Sequence, residues 1–293
     1  MSRMSDADMP AFWRSADAAS LRGQQMTLRL NRIRLGGTVF AAVGGALTWK
    51  AGAVNVWGVV ALLGFAAALA AEIVSSTVRP EQDWYSGRAL AESAKTLAWR
   101  YAAGAAPFLP SMSAADARAA MRDRLAAIAA EFGNQIPIGA GDAVATSAMQ
   151  TLRAAPFTER KAVYLRDRTE DQRQWYANKA EDAKQKMSRW RVALVFGEVL
   201  GLVLAGLRAF GVWEIDWSGV IAACIAAGTA WMGIKQYAAR NSAYATAANE
   251  LALQADKLAD VSEVEWPQAV ADAEEAISRE HTMWLASRTA NLL

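Results

Sequence analysis

The sequence is short of the residues that most protein chemistry needs. It has one cysteine, Cys224, set inside an apolar run, and one histidine, His281, late in the chain. A lone cysteine excludes a disulfide framework, and a lone distant histidine excludes a zinc-type cluster. With Cys224 expected to be buried and His281 expected on the surface, no Ser/His/Asp or Cys/His catalytic set can be assembled. The carboxylates Asp83, Glu92, Glu170, Asp171 and Glu181 are scattered on charged stretches and match no metal-binding spacing. No enzyme, cofactor or metal is therefore expected. Charge is scarce as well, at 20% of residues with a net charge of +2, so direct nucleic-acid binding is not expected. No segment alternates as a strand does, and the glycine-containing loop at 134–142 lacks the Lys-Ser/Thr of a phosphate cradle.

What the chain does have is long apolar runs, in two pairs. Leu35–Trp49 is followed across Lys50 by Ala51–Ala71, and Val192–Phe210 is followed by a short link and Ser218–Ile234. As helices such runs reach about 22–32 Å, close to the hydrocarbon thickness of a bilayer. They are apolar all round, without the polar stripe of a surface helix. The expected fold class is an all-α integral membrane protein: four transmembrane helices as two hairpins, with long cytoplasmic helical extensions. The spans are expected at about 33–50, 54–78, 192–211 and 217–235. The first is the shortest and needs Ile33 and Arg34, the latter snorkelling to the interface. A soluble helical protein with unusually apolar core helices is the competing reading, and Glu198 and Arg208 argue mildly for it. A signal peptide is not expected, because the first run follows a charged amphipathic stretch and precedes no small-residue cleavage site.

Basic residues set the topology. Arg29, Arg32 and Arg34 precede the first pair and Arg79 follows it. Lys184, Lys186, Arg189 and Arg191 precede the second, and Lys235 and Arg240 follow. The links carry only Lys50, or Glu214 with Asp216. Both termini and the middle of the chain are thus expected in the cytoplasm. Trp49, Trp57, Trp213 and Trp217 bracket the two links, as indoles do at headgroup level.

The divisions expected along the chain are a disordered polar 1–10, a first two-span unit at 11–110, a helical linker at 111–157, a second unit at 158–261 and an amphipathic helix at 262–293. Ala11–Arg34 reads as an amphipathic helix along the membrane surface or another helix. Arg79-Pro80 ends the second span. Asp83–Ala103 is helical. Ser113 with Asp116 starts a helix that Gly133 stops, and a short helix precedes Pro156. Thr158–Arg191 reads as a long solvated helix leading into the third span, and Lys235–Val261 continues helical after the fourth. The two halves share one plan, a parallel repeat of architecture more than of sequence.

Within the runs, Gly197/Gly201/Ala205, Ala222/Ala226/Ala230 and Gly37/Gly44 lie at spacings that let helices approach closely, or that alanine-rich sequence produces by chance. Glu72 and Glu198 fall at matching depths, roughly 10 Å inside the cytoplasmic boundary. They are candidates for an acidic ring at a pore mouth, against the simpler reading of carboxylates paired with nearby cations. Arg208 is expected to pair locally with Glu214 or Asp216.

Two motifs carry a family resemblance. Trp84, Tyr85, Arg88, Ala89, Ala91, Glu92, Ser93, Lys95, Thr96, Trp99, Arg100 and Tyr101 form the pattern W-Y-x-x-R-A-x-A-E-S-x-K-T-x-x-W-R-Y. This resembles the SLATT superfamily, two-transmembrane effectors that associate with SMODS nucleotidyltransferases and SLOG sensors. Arg168, Asp171, Gln172, Trp175, Tyr176, Lys179 and Ala180 form R-x-x-D-Q-x-x-W-Y-x-x-K-A, which looks like the lead-in helix of a second SLATT subtype. The likeness covers about 10–110 and 160–260, and tandem fusion of two subtypes is known in the family.

The resemblance implies a membrane effector of a bacterial conflict or anti-phage system. Such an effector is expected to oligomerise and form a pore, or disrupt the membrane, when a nucleotide second messenger or a separate sensor or nucleotidyltransferase protein triggers it. The expected partners are membrane lipid, further copies of the chain, and that trigger. Arg88, Lys95 and Arg100 with Glu92 could form a salt-bridged collar between subunits or hold an anionic nucleotide; a ligand-free packing network is the simpler alternative. The competing functions are a non-conducting membrane scaffold for a cytoplasmic partner and a constitutive ion channel.

Overall fold

The computed structural model describes residues 3–131 and 144–289, with side chains described over 3–130 and 144–278. The chain is almost all helix and clusters into two compact units. Unit one gathers three separate stretches, 1–24, 81–178 and 244–293; unit two comprises 25–80 and 179–243. The expected loop at 134–142, and its glycine stop at Gly133, lie outside the described residues, as do the side chains of His281, Met283 and Trp284.

Unit two contains the apolar runs. The later part of α1 (Ala11–Ala46) turns through a two-residue ladder, Lys50–Ala51 against Val54–Asn55, into α2 (Val56–Val78). The Asn55 side chain caps α2 by accepting from the Gly58 N–H. The two helices run antiparallel in close contact. A Cβ added at Gly37 would lie 2.5 Å from the Gly64 carbonyl, and one at Gly44 2.5 Å from Ala61 N. Only glycine permits that approach. The later part of α7 (Asp171–Ala209) packs similarly on α8 (Trp217–Lys235), with Gly197 and Gly201 under Ile225 and Ile221, and Gly228 under Trp190 and Leu194. Arg208 pairs with Asp216 at 2.5 Å, and Asp216 also caps α8.

Among the described residues, three helical stretches are long and apolar enough to cross a membrane: Val56–Val78, Phe157–Ala209 and Trp217–Asp260. The segment expected as a first span is not among them. Asn31, Arg32 and Arg34, followed by Gly36, Gly37 and Thr38, dilute its apolar character, and α1 stops at Ala46 before reaching Trp49. Two further expectations change here. Cys224 is exposed on the outer face of α8, because the inner face of that helix is taken by Ile221, Ile225 and Gly228. The stripe Ala222, Ala226 and Ala230 faces outward with it, so Gly228 makes the close contact instead.

Each pair of apolar helices ends in the same way. Arg79 and Gln236 both adopt the left-handed conformation at φ 49°, and each N–H still bonds four residues back, to Ser75 and Met232. A new helix of 24 residues begins at once: α3 (Pro80–Ala103) after the first, α9 (Tyr237–Asp260) after the second. The chain therefore does not continue straight out of the fourth run, but turns at Gln236.

Unit one is a helical core around Trp99, Tyr101, Phe108, Tyr164 and Trp266. It is built from the start of α1, α3, α4 (Ala114–Glu131), α5 (Ser147–Ala154), α6 (Phe157–Tyr164), a π-helical segment Leu165–Glu170, the start of α7, α9 and α10 (Trp266–Thr289). Ser113 and Asp116 cap α4 reciprocally, as expected. Gly87 lets α3 meet α1, since a Cβ there would lie 2.7 Å from Ser20 N. The N-terminal segment, expected to be disordered, is part of this core: Met4 and Met9 are buried, and a short turn at Asp6–Asp8 lies between them. Two buried thioethers outweigh the entropy that its polar neighbours suggested. The stretch from Thr158, expected to be solvated, is also buried at first, through Arg160, Val163, Tyr164, Arg168 and Thr169.

Adjacent glycines in α1 give a clean test of the helix contact. Gly37→Ala should destabilise unit two by about 1–3 kcal/mol through backbone overlap, whereas Gly36→Ala, with open space beside it, should be neutral or gain about 0.5–1 kcal/mol. Thermal midpoints of the two variants in detergent check the difference in sign.

Candidate functional site

The π-helical segment widens the turn between α6 and α7, a distortion often found at functional positions. It forms one wall of a cavity of about 710 Å³ in unit one. The N-terminal segment Arg3–Asp6 and Lys95 and Trp99 of α3 line it as well. Lys95, Trp99, Arg168, Asp171 and Gln172, drawn from both sequence motifs, thus meet around one space.

The cations on the wall are largely satisfied within the chain. Lys95 pairs with Asp6 at 2.6 Å and lies 5.7 Å over the Trp13 ring. Arg166 holds Asp167 at 2.6 Å, and Asp167 also accepts the Met4 N–H at 3.0 Å. Partial burial raises the Asp167 pKa, but the bonds from Arg166 and Met4 bring it below the usual carboxylate range. Trp99 contributes a buried indole N–H that no group among the described residues accepts. Opposite charges balance around the space, so it is not a cationic cradle.

Beneath the wall lies the strongest polar contact in the unit. Arg168, 1% exposed, forks onto Glu274, which is 0% exposed, with Nε and Nη2 donating to the two carboxylate oxygens at 2.8 and 2.7 Å. Tyr164 donates to the same carboxylate at 2.9 Å, and Arg168 also reaches Gln172 at 3.4 Å. Burial would lower the Arg168 pKa; the charge and hydrogen bonds of Glu274 reverse this and hold it above the ordinary guanidinium value. Burial, with the nearby carboxylate, pushes the Tyr164 phenol well up. The guanidinium stays charged and the phenol neutral across the working pH range.

Most of the remaining motif residues make contacts within the chain. Trp84 and Tyr85 are buried and stack at 5.1 Å, and the Trp84 carbonyl accepts from Ser20. Arg88 pairs with Glu92 at 2.7 Å one turn on. Arg100 donates to the Ala271 carbonyl at 2.7 Å, tying α3 to α10. Tyr101 is fully buried, edge-on to Phe108 and under the Arg153 guanidinium. Trp175 and Tyr176 form an aromatic cluster with Tyr244, and Lys179, at the start of the second stretch of unit two, is exposed. Glu72 pairs with Arg34 at 2.6 Å, and Glu198 is exposed on α7.

Sequence reasoning missed Glu274. The signal was present: Val270, Ala273, Glu274 and Ile277 fall at helical spacing, which puts a carboxylate on the buried stripe of α10, where it needs a cation.

Residues 10–161 match the model of SMODS and SLOG-associating 2TM effector domain 3, and residues 164–284 that of SMODS and SLOG-associating 2TM effector domain 1. The chain belongs to the SLATT family. It carries two SLATT domains of different subtype in tandem, and both matches run beyond the motif-bearing stretches: the first includes α4 and α5, and the second takes in α10, which the motif comparison left uncovered. No curated protein and no solved structure matches the chain. SLATT domains are membrane effector domains of conflict systems and are not known as catalysts, and the chain is a multi-pass membrane protein. The cavity lies between residues of the two SLATT matches, since Lys95 and Trp99 belong to the first and Arg166–Gln174 to the second.

Removing one partner of the buried pair leaves the other charged and unpaired. Glu274→Gln should cost about 3–5 kcal/mol, a fall on the order of 10 °C in thermal midpoint, and Arg168→Met with Glu274→Leu should recover most of it. Thermal unfolding of the purified full chain measures both.

Proposed function

We propose that this SLATT protein is a triggered membrane effector: its spans oligomerise into a pore or otherwise breach the inner membrane when a nucleotide signal or a sensor partner acts on unit one. The observation that carries this reading is the make-up of unit one. Its cavity wall is drawn from both SLATT matches and the N-terminal segment, and α7 runs unbroken from that wall, at Asp171, into the third apolar run. A change at the wall has a continuous helix along which to act on the spans. The exposed apolar faces of α2 and α7, with Leu202 at 76%, suit lipid or further copies of the chain.

The same make-up supports a four-span topology. Three chain segments that pack into one unit share a side of the membrane, so each stretch between them crosses an even number of times. α2 crosses once, and the part of α1 from 25 to 46, about 33 Å long, is the available return path. The basic residues that flank the apolar runs support a cytoplasmic position for that side and both termini. Opening is then a population shift: the trigger must bind the open arrangement more tightly than the closed one.

Membrane potential and dye entry, in cells expressing the protein from a tight inducible promoter, test the proposal. Depolarisation with dye entry is the expected outcome, and Glu274→Gln, which loosens unit one, should lower the trigger needed. A normal potential at full membrane expression, unchanged by the variant and by co-expression of a sensor or nucleotidyltransferase partner, would leave the non-conducting scaffold as the better reading.

A further inference from the structure

Arg32 of α1 and Lys235 of α8 both approach the ring of Trp231, at 5.3 and 5.1 Å from its centroid. Arg240 and Lys186 stand close enough to act electrostatically on the Lys235 ammonium. Two cations therefore lie over one indole, and two more act on Lys235, all in unit two. Lys186 has a carboxylate partner, Asp182 at 2.6 Å. Among the described residues no carboxylate pairs with Arg32, Lys235 or Arg240, and the Arg240 Nε is buried without an acceptor. This contrasts with Arg34, two residues from Arg32, which has Glu72.

Like charges held together in a half-buried place repel unless an anion joins them. Two features specify that anion. The cluster lies at the end of the apolar helix α8, with a tryptophan at the level where indoles meet lipid headgroups. Next to Arg32 in the chain, Ile33 is exposed at 42%, an apolar side chain at the same end of the paired helices. Basic pockets between the ends of membrane helices take anionic headgroups by this combination of charge above and hydrocarbon below. We propose that Arg32, Trp231, Lys235 and Arg240 form a headgroup site for an anionic phospholipid, its phosphate bridging Arg32 and Lys235. The proposal rests on the reading that α8 crosses the membrane. A lipid seated there would tie α1 to α8, and so the first SLATT domain to the second, through its own charge.

The full chain, reconstituted in nanodiscs of phosphatidylcholine with or without phosphatidylglycerol, provides the test. Lipid retained through purification is read by mass spectrometry and stabilisation by thermal midpoint. Arg32→Gln with Lys235→Gln should lose about tenfold or more in phosphatidylglycerol retention. Arg32→Lys with Lys235→Arg should keep most of it, and the charge-matched control Arg79→Gln with Arg191→Gln should change it less than about twofold. Equal retention in the double-glutamine variant, or an equal loss in the control, would overturn the site. So would inorganic phosphate raising the midpoint as much as the lipid, which would mark a small-anion site. Alkaline carbonate extraction separates the two layers of the argument: release of the wild-type chain would sink the spanning reading and the lipid site together. A chain that stays embedded but retains no phosphatidylglycerol would sink the lipid site alone.

Discussion

A guanidinium and a carboxylate removed from water together are tolerable only if each satisfies the other. Arg168 and Glu274 meet that condition with two parallel hydrogen bonds, and Tyr164 takes up further capacity on the carboxylate. The pair joins the π-helical segment to α10, helices more than one hundred residues apart in the chain. Because the desolvation of either ion alone is so costly, the two helices are held in one register and not merely near each other. The cavity wall inherits that register, since Arg166, Asp167 and Glu170 sit on the same turn as Arg168. The arrangement suits a switch: a packed core tolerates gradual deformation poorly, so a pair of this kind is either made or broken.

The lengths and ends of the helices were legible in the sequence because local chemistry decides them. Ser113 and Asp116 start α4, and Arg79-Pro80 ends α2, by capping and backbone rules that need no tertiary partner. Apolar runs announced α2, α8 and the later part of α7 for the same reason. The family was legible too, from two short motifs. What the sequence concealed was the direction in which charged and polar residues face. Arg160 and Arg168 look like members of a solvated charged helix, and the partner that buries Arg168 lies far along the chain. Met4 and Met9 look like part of a polar tail until the core that receives them is known. Neither periodicity nor composition carries long-range pairing, and the cavity is made of nothing else.

The tandem repeat has a physical trace besides the two family matches. At Arg79 and at Gln236 the chain enters the left-handed region, which costs a residue with a Cβ about 1–2 kcal/mol, and neither position holds glycine. That cost is met at the same point of each half, where an apolar helix gives way to a polar one of equal length in both. In each case the amide at the bend keeps its helical hydrogen bond, so the helix changes direction without exposing an orphan donor at its end. A straight continuation would be the cheaper local solution. The helix that follows each bend has partners of its own, which α3 finds in α1 and the core around Trp99, and α9 in the aromatic cluster with Tyr176.

The later part of α1, the least apolar of the paired runs, also bears on the role of Glu72. An isolated carboxylate within hydrocarbon would neutralise or seek a cation, and the part of α1 packed against it presents Arg34 at 2.6 Å. Paired, the two side chains carry no net charge into the bilayer, so the pair lowers the cost of drawing the basic start of the α1 run toward the lipid. Glu72 is committed to that task in the arrangement described, whereas Glu198, exposed on α7, has no such neighbour among the described ion pairs. Equal depth in sequence does not make the two carboxylates equivalent, and an acidic lining that used both would first have to separate Glu72 from Arg34. Under the pore reading proposed above, Glu198 is therefore the carboxylate that a water-filled path could use without breaking an ion pair.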